Sequence, residues 1–528
     1  MQNFRSSIYN KIFFILKYVA FLFTILLLLS TLIFTCYIED MGTQKVLTST
    51  DNVLLSVLGL GLFLLILKFA VNWVSKNPLF RSRLFLGVTL GWYVLASAIL
   101  LVFCRTAPGG DAMTVFRIAE QFAVNDFSAI HPTASYLSYY PHQIGLVAYY
   151  EILLRLWNLL PVSLIGFHFI KVVNVFWTCL MILFQYKTID MLFHNYKINI
   201  TYLLLMICNV PFLFYTSFVY GEIPSISLFS LGYFCILKIF EKSINTASSN
   251  IKQLPWGYMF LSFASFAGCM MLRKNAMILM IAVMGVVLFE CIRHGKKSFL
   301  CMLSIYAIIT FLTLPTIQKI YEHRAGNELS SGVTALSYIA MGMQESNRAQ
   351  GWYNGFNLTT YENSGLNKEL ANQVSGAAIA ERSQFFKENP SQAVGFYVGK
   401  YLSQWCDGTY ACLQATLNNL GGRRQLFTDL YSGKYDMLFI PFCNLTQLLL
   451  YLGCAVFAFL PIRNKADTTL SQYSLYLGII GVFGAFLFHM FWEANARYIF
   501  PYTLLLYPYA AYGWISLMRG LPGKHKKA

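Results

Sequence analysis

Residues Arg105–Gly145 read RTAPGGDAMTVFRIAEQFAVNDFSAIHPTASYLSYYPHQIG and lie between two apolar runs. The segment carries Asp111 directly behind a Pro-Gly-Gly turn and ends in the run YYPHQ at residues 139–143. A carboxylate held at a membrane surface beside aromatic and hydrogen-bonding groups is costly, and such groups are usually functional. The segment therefore predicts a loop between membrane spans that carries a reaction centre.

The composition is that of a membrane protein. Of the 528 residues, 57% are hydrophobic and only 12% are charged, whereas soluble domains average about 25% charged residues. Apolar windows of about 20 residues, long enough to cross a bilayer, recur along the chain. The first window lacks the short apolar core and the cleavage site of a signal peptide, which predicts a retained anchor.

The net charge of +16 reflects topology. The long polar segment Gln318–Tyr435 has 10 Lys/Arg and 9 Asp/Glu, so +15 belongs to the rest of the chain. There the basic residues cluster in short connections, which marks the cytoplasmic side. These clusters are Lys76/Arg81/Arg83, Lys187/Lys197, Lys238/Lys242/Lys252, Arg293/Lys296/Lys297, Arg463/Lys465 and Arg519/Lys524/Lys526/Lys527. We expect no nucleic-acid partner.

Alternating basic clusters with apolar runs predicts an all-α polytopic membrane protein of about twelve transmembrane helices. The run Ile144–Leu160 contains Glu151 and Arg155 and is predicted to lie in the membrane interface. The Arg273-Lys274-Asn275 interruption predicts a helical hairpin with its tip outside. The predicted spans cover 18–38, 53–74, 84–104, 170–192, 199–219, the run from 222 to 238, the hairpin 256–292 (two spans), 298–317, 437–460, 470–490 and a last span before the basic tail.

Three regions follow from this path. Residues 1–317 form an N-terminal membrane domain of nine spans with the outer loop 105–145. Residues 318–435 form a small, mostly helical extracytoplasmic cap, in which 371–386 and 390–405 are predicted helices. Residues 436–528 hold the last three spans and a basic cytoplasmic tail. Cys406 and Cys412 share the cap, so a disulfide between them is possible, but spacing alone does not show one.

Two carboxylates stand out on the predicted outer side. A sugar transfer needs a carboxylate to accept the proton of the attacking hydroxyl, and Asp111 is the candidate for this general base. Its alternative is a helix N-cap before Ala112–Phe122, and both roles are compatible. Glu222 is the second carboxylate predicted to be catalytic, by binding the acceptor or by orienting Asp111; the alternative is an ordinary solvated charge at a helix end.

Basic residues on the outer side go against the positive-inside trend. Arg273 and Lys274 at the hairpin tip and Arg497 before the last span suit a phosphate leaving group. The alternative is anchoring against lipid headgroups. Lys171 and Arg105 have the same two interpretations, and we group Lys171 with the phosphate ligands.

The remaining candidates are predicted to bind sugar or acceptor hydroxyls: Tyr140, His142, Gln143 and Glu493. His142 also has a purely structural interpretation. The sequence has no CxxC or HExxH motif and no His/Cys cluster, so no metal site is assigned. It also lacks a glycine-rich phosphate loop, which argues against a nucleotide as the direct donor.

The order and sidedness of these motifs resemble the GT-C glycosyltransferases that use polyprenyl-phosphate sugars. The nearest branch is bacterial and includes protein O-mannosyltransferases and aminoarabinose transferases (glycosyltransferase family 39-like). The similarity covers residues 84–310 and the last two spans, although relatives often carry an acidic pair in the first loop or Asp in place of Glu222. Its carriers are Asp111, the Tyr140-Pro141-His142 run, the PFLFYTSFVYGE segment ending at Glu222, Arg273-Lys274-Asn275 and Glu493…Arg497-Tyr498.

The resemblance implies a multi-pass protein of the bacterial cell membrane that transfers sugar on the extracytoplasmic side with inversion. The donor would be a polyprenyl-phosphate sugar, and the acceptor a cell-wall polymer or surface glycan. Such chemistry needs no cofactor, although a divalent metal is used by some relatives. A transporter or flippase of lipid-linked glycans, and a polysaccharide polymerase or ligase, are the alternatives.

Overall fold

A computed structural model describes residues 2–40, 43–103, 105–133, 135–159, 166–245, 255–295, 297–417, 425–460 and 472–519. In these ranges the protein is all-α apart from one β-hairpin. The predicted loop around Arg463/Lys465 and the basic tail from 520 onward lie outside the described residues. The all-α polytopic architecture expected from the sequence is confirmed.

The N-terminal region contains three long apolar helices and the hairpin. The two strands pair antiparallel, with Phe34 opposite Thr50. The prediction that the first span reaches residue 38 is therefore wrong, because the helix ends at Ile33 and the chain continues as a strand. The elements are α1 (Gln2–Ile33), β1 (Phe34–Asp40), β2 (Lys45–Thr50), α2 (Val53–Ser75) and α3 (Pro78–Phe103).

The loop after α3 is helical and leads into the central helices. Asn209 caps a new helix and Pro211 lies in its first turn, so the predicted span 199–219 is broken in two. The elements are α4 (Gly110–Ala123), α5 (Tyr136–Tyr139), a 3-10 turn (Pro141–Gln143), α6 (Ile144–Trp157), α7 (Gly166–Phe193), α8 (Tyr196–Cys208), α9 (Val210–Tyr215) and α10 (Glu222–Asn245).

Helix α6 is held by the protein itself. Glu151 is buried and pairs with Arg155 and with Arg324, both at 2.8–2.9 Å, and it accepts a hydrogen bond from Tyr321. The charges that suggested an interfacial helix are thus satisfied within the chain. Whether α6 lies in the membrane interface stays a prediction.

The predicted hairpin at 256–292 is present. Its two helices are joined by a 3-10 turn (Lys274–Ala276) directly after Arg273. The following helix continues beyond residue 317 to Ala325. These elements are α11 (Trp256–Leu272), α12 (Met277–His294) and α13 (Lys297–Ala325).

The region between α13 and the last long helices is mostly helical, as expected. It is not a separate layer throughout, because its C-terminal part enters the helix bundle: Tyr215 donates to the carbonyl of Tyr410 at 2.7 Å, and Asn444 accepts from the Gly408 amide at 3.2 Å. The elements are α14 (Ala335–Gly342), α15 (Phe356–Asn363), α16 (Lys368–Glu388), α17 (Pro390–Trp405), α18 (Cys412–Leu417) and α19 (Gln425–Ser432).

The C-terminal region returns through the bundle. Its last helices are interrupted around Pro501 and a 3-10 turn (Leu504–Leu506). The elements are α20 (Asp436–Phe459), α21 (Gln472–Leu475), α22 (Leu477–Phe491), α23 (Ala496–Thr503) and α24 (Tyr507–Met518).

Eight helices of the described residues are long and apolar enough to span a membrane, and α8, α11 and α22 are shorter apolar helices. The count of twelve stays a prediction. The apolar window of α10 is 83% buried within the protein, whereas that of α2 is 22% buried. Apolar side chains exposed all along α2 suit lipid contact, and α10 is a central helix. It begins at Glu222 and so positions that carboxylate inside the protein.

Candidate active site

Asp111 projects from the first turn of α4. The N-cap of this helix is Gly109, so the predicted N-cap role of Asp111 is wrong. Gly110 has φ +53°, a left-handed conformation that glycine adopts at little cost. The Asp111 side chain is exposed, and a carboxylate in the first turn is favoured by the helix dipole. The turn thus leaves the Asp111 carboxylate accessible at the N-terminal end of α4.

Glu222 is buried and paired, so its interpretation as a solvated helix-end charge is wrong. Its carboxylate lies 3.2 Å from the Arg273 guanidinium and is 3% exposed. Gly221 permits this approach, because a Cβ there would lie 2.7 Å from the Leu272 carbonyl oxygen. Burial opposes the charge of Arg273, but Glu222 and Tyr220 outweigh it and raise the pKa of Arg273.

Tyr220 joins the first loop to this pair. Its hydroxyl accepts a hydrogen bond from Gln143 Nε2 at 2.5 Å, and the Arg273 guanidinium lies 4.6 Å from its ring centroid. Gln143 is therefore a buried structural donor here, which leaves its sugar-binding role a prediction. Tyr220 was part of the motif around Glu222 but was not among the predicted site residues.

Arg497 lies beside the Glu222–Arg273 pair. Its guanidinium faces the rings of Tyr498 at 5.2 Å and Phe218 at 5.6 Å. Its Nε is buried and makes no hydrogen bond, and within the described ranges no carboxylate forms an ion pair with it. Burial opposes its charge, but the neighbouring Tyr498 and Glu222 act in the other direction and raise the pKa of Arg497. A half-buried guanidinium with a buried, unused donor is suited to an anionic ligand.

Glu493 is a second buried carboxylate of the site. It accepts a hydrogen bond from the Tyr498 hydroxyl at 2.8 Å, and its carbonyl lies 2.9 Å from His489 Nδ1. Burial raises the pKa of Glu493 to about 7, and the charge of Asp111 contributes to this rise while Tyr498 and Arg497 oppose it. Asp111 and Glu493 thus share one electrostatic environment, although they are far apart in sequence.

The residues at the end of the first loop complete the rim. Burial lowers the pKa of His142 to about 3, assisted by the positive charges of Lys274 and Arg273, so this imidazole is neutral at physiological pH. Lys274 itself is exposed. Burial raises the pKa of Tyr140, with contributions from Tyr353 and Asp111. His142 and Tyr140 are therefore neutral hydrogen-bonding groups beside basic ones.

A cleft opens between these elements. It is narrow, with a volume of about 30 Å³, and is lined by Glu222, Arg273, Asn275, Tyr498 and Tyr502, among others. Tyr502 donates to the Asn275 carbonyl at 2.9 Å, which ties the hairpin tip to α23. The cleft therefore has the Glu222–Arg273 pair and the hydroxyl of Tyr498 on its walls.

Lys171 has a different surrounding from the other predicted phosphate ligands. It is 1% exposed, donates to the Thr106 carbonyl at 2.7 Å and lies 5.6 Å from the Phe167 ring. It supports the start of the first loop, and its predicted phosphate role stays a prediction. Cys406 and Cys412 are both buried free thiols, so the possible disulfide between them is not formed.

Sequence reasoning also missed residues of the cap that reach the site. Tyr353 lies near Tyr140, and burial together with Glu493 and Asp111 raises its pKa. Arg348 lies 5.6 Å from the Tyr353 ring, and its charge opposes the rise in the pKa of Glu493. Both occur in a Gly/Asn-rich stretch without apolar periodicity, where the only local signal is the clustering of aromatic and basic residues.

No protein-family model matches the chain, and no curated protein matches it. Among solved structures it is similar to the archaeal oligosaccharyltransferase AglB from Archaeoglobus fulgidus in complex with an inhibitory peptide and a dolichol-phosphate. The TM-score is 0.43 and the identity 14%, over 86% of this chain and 53% of that one. The chain thus spans about half the length of AglB.

Proposed function

We propose that this protein is an inverting glycosyltransferase that moves a sugar from a polyprenyl phosphate to a hydroxyl of an extracytoplasmic acceptor. The observation that carries the proposal is a partly satisfied cationic cluster, formed by Arg273, which lines the cleft, and the neighbouring Arg497. Arg273 is neutralised by Glu222, whereas Arg497 keeps a buried Nε without a hydrogen-bond partner. The cluster therefore has one guanidinium available for an incoming anion.

The donor phosphate is held by Arg497 and Arg273, with Lys274 at the exposed edge. Guanidinium groups bind phosphate oxygens with paired, charge-assisted hydrogen bonds. Negative charge grows on the phosphate as the glycosidic C–O bond breaks, and fixed cationic donors stabilise that charge. The polyprenyl phosphate separates from the sugar as an anion and remains bound to the same arginines.

Asp111 is the proton acceptor. The acceptor hydroxyl oxygen forms a new bond to the anomeric carbon while its proton passes to the Asp111 carboxylate, and the phosphate departs on the opposite side, which inverts the configuration. Asp111 suits this task because it is exposed and no side chain of the described residues is hydrogen bonded to it. A general base of this kind contributes about 10²–10⁴ in rate.

The two buried carboxylates have different roles. Glu222 fixes the Arg273 guanidinium, and Glu493, held by Tyr498, borders the acceptor side together with Tyr140 and His142. Within the described ranges no three His, Cys, Asp or Glu side chains gather as metal ligands, and the proposed steps use groups of the chain itself. The acceptor is a cell-wall polymer or surface glycan, and the enzyme acts at the outer face of a bacterial cell membrane.

A reconstituted transfer assay tests the proposal. Purified protein in vesicles receives radiolabelled undecaprenyl-phosphate monosaccharides and isolated cell-envelope glycan. We expect transfer by the wild type and loss of at least about 10²-fold in Asp111→Asn. The matched control is Asp126→Asn, which removes an exposed carboxylate of the same loop. Translocation of the donor without transfer, or full activity in Asp111→Asn, contradicts the proposal.

A further inference from the structure

A polar groove runs along the cap outside the cleft. It lies between the end of α14, the following loop, α15 and α16, and its volume is about 590 Å³. Small-molecule sites usually measure about 300–1,000 Å³. The groove is thus large enough for a ligand of several hydrogen-bonding units, and nothing in the steps described above uses it.

The groove is lined by neutral polar groups, which both donate and accept hydrogen bonds, and by apolar side chains. Gln344, Asn354 and Asn363 contribute amides and Thr359 a hydroxyl, while Phe356, Leu370 and Val374 contribute apolar surface. The carboxylate of Glu345 also lines it, but this charge is paired with Arg382 at 2.6 Å. Sugar hydroxyls likewise donate and accept, and amide groups satisfy both functions. The lining therefore fits an uncharged polyhydroxylated chain better than a phosphate or a charged peptide.

The groove begins next to the reaction centre. Asn354 directly follows Tyr353, which lies near Tyr140. Burial and the charges of Glu493 and Asp111 raise the pKa of Tyr353. Asn354 is also fixed in place, because its amide donates to Gln344 Oε1 at 3.2 Å and its Oδ1 accepts from the Phe356 amide at 3.0 Å. A chain lying in the groove would therefore end near the carboxylates of the site.

A buried network of hydrogen bonds joins this part of the cap to the segment that carries Glu493. Lys400 is 0% exposed and donates to the carbonyls of Gly342 and Trp492, the latter at 2.7 Å. The Ala494 amide donates to the Gly351 carbonyl at 2.8 Å. Gly351 has φ +70°, and a Cβ there would lie 2.7 Å from Lys400 Cε. The groove and the catalytic segment are thus in a fixed relation.

We propose that the groove is a saccharide subsite that holds the acceptor glycan and directs its growing end toward Asp111. This inference rests on the proposed glycosyltransferase function and adds the acceptor class. It commits the acceptor to a neutral oligosaccharide chain, with several sugar units bound on the cap and one hydroxyl at the reaction centre.

The test uses the full chain in detergent on an array of bacterial oligosaccharides, without donor. The wild type should retain neutral glycans, and the double variant Thr359→Val/Asn363→Ala should retain them about tenfold less, from the loss of two hydrogen-bonding groups. The control Ser391→Ala/Gln392→Ala changes exposed hydroxyl and amide groups of α17 and should bind like the wild type. Equal retention by the groove variant, or no retention by the wild type, overturns the inference.

Kinetics separate this inference from the function it rests on. In the vesicle assay the groove variant should raise KM for the glycan acceptor about tenfold, with KM for the donor unchanged. If the wild type does not cleave the polyprenyl-phosphate sugar, the glycosyltransferase proposal fails. If it does cleave the donor and the variant's acceptor KM equals that of the wild type, only the groove assignment fails.

Discussion

Replacing Arg497 by methionine should separate activity from stability. The guanidinium of Arg497 is partly buried between Phe218 and Tyr498 and has no carboxylate partner within the described ranges. Loss of one donor to a transition-state charge costs about 3–4 kcal/mol, or about 10²–10³ in rate. The same change removes a charge whose neighbouring carboxylate, Glu222, is already paired with Arg273. We therefore expect a slower enzyme whose melting temperature falls less than that of Arg273→Met.

Arg273→Met supplies the contrast. It leaves the Glu222 carboxylate, which is 3% exposed, without its counter-charge. Removal of one partner of a buried ion pair typically destabilises by about 3–5 kcal/mol. The melting temperature of this variant should fall, and adding Glu222→Gln should restore part of the loss because the stranded charge is then absent.

The two assays are transfer kinetics with a polyprenyl-phosphate sugar and thermal unfolding of the detergent-solubilised protein followed by intrinsic fluorescence. Arg497→Met should raise KM for the donor or lower kcat while binding of the glycan acceptor is unchanged. Unchanged donor kinetics would refute the phosphate role of Arg497. A loss of stability as large as that of Arg273→Met would refute the claim that Glu222 is paired mainly with Arg273.

Three further predictions concern the residues around the cluster. The pKa of Glu493 is raised from 4.5 to about 7, so the folded protein holds this proton more tightly than the unfolded chain does. The stabilisation from this group is therefore complete below about pH 4.5 and falls by up to about 3 kcal/mol as the pH rises to 7. Glu493→Gln should make the melting temperature less dependent on pH over that range. Lys400→Met should leave the carbonyls of Gly342 and Trp492 without a hydrogen-bond donor, at a cost of about 1–3 kcal/mol for each. Lys400→Arg should not restore the stability, because the Lys400 side chain packs tightly against Gly351 and leaves no room for the larger guanidinium. Equal melting temperatures for the methionine variant and the wild type would contradict this. Gly110→Ala places a side chain at φ +53°, costs about 1–2 kcal/mol and should slow transfer through misplacement of Asp111 with donor affinity unchanged; wild-type kcat would contradict it.

Features with a one-dimensional signature were predictable from the sequence. The helical hairpin with Arg273 at its tip followed from a long apolar run with one basic interruption, and both the predicted cap helices 371–386 and 390–405 lie within observed helices. Polar residues that interrupt apolar runs at predicted outer ends, such as Asp111, Glu222 and Arg497, were recognisable for the same reason. The structure brings them into one neighbourhood.

Three features were missed in the prediction from sequence, each for a different physical reason. The segment FTCYIED directly continues an apolar run, so the change from helix to strand at Phe34 had no breaker before it. The helix break at Asn209 needed the recognition of an N-cap inside an apolar stretch. Lys400 looks like any surface lysine of a helix, and only its contact with the distant Trp492 carbonyl shows that it is fully buried.

The proposed mechanism requires that the phosphate of a polyprenyl carrier binds at Arg497 and Arg273. An experimental structure of the full chain with undecaprenyl phosphate would show where the phosphate lies. We expect phosphate density about 2.7–2.9 Å from guanidinium nitrogens of Arg497 and Arg273, on the side facing Asp111. Phosphate bound elsewhere with both arginines unchanged, or Asp111 separated from it by another part of the protein, would rule out this mechanism.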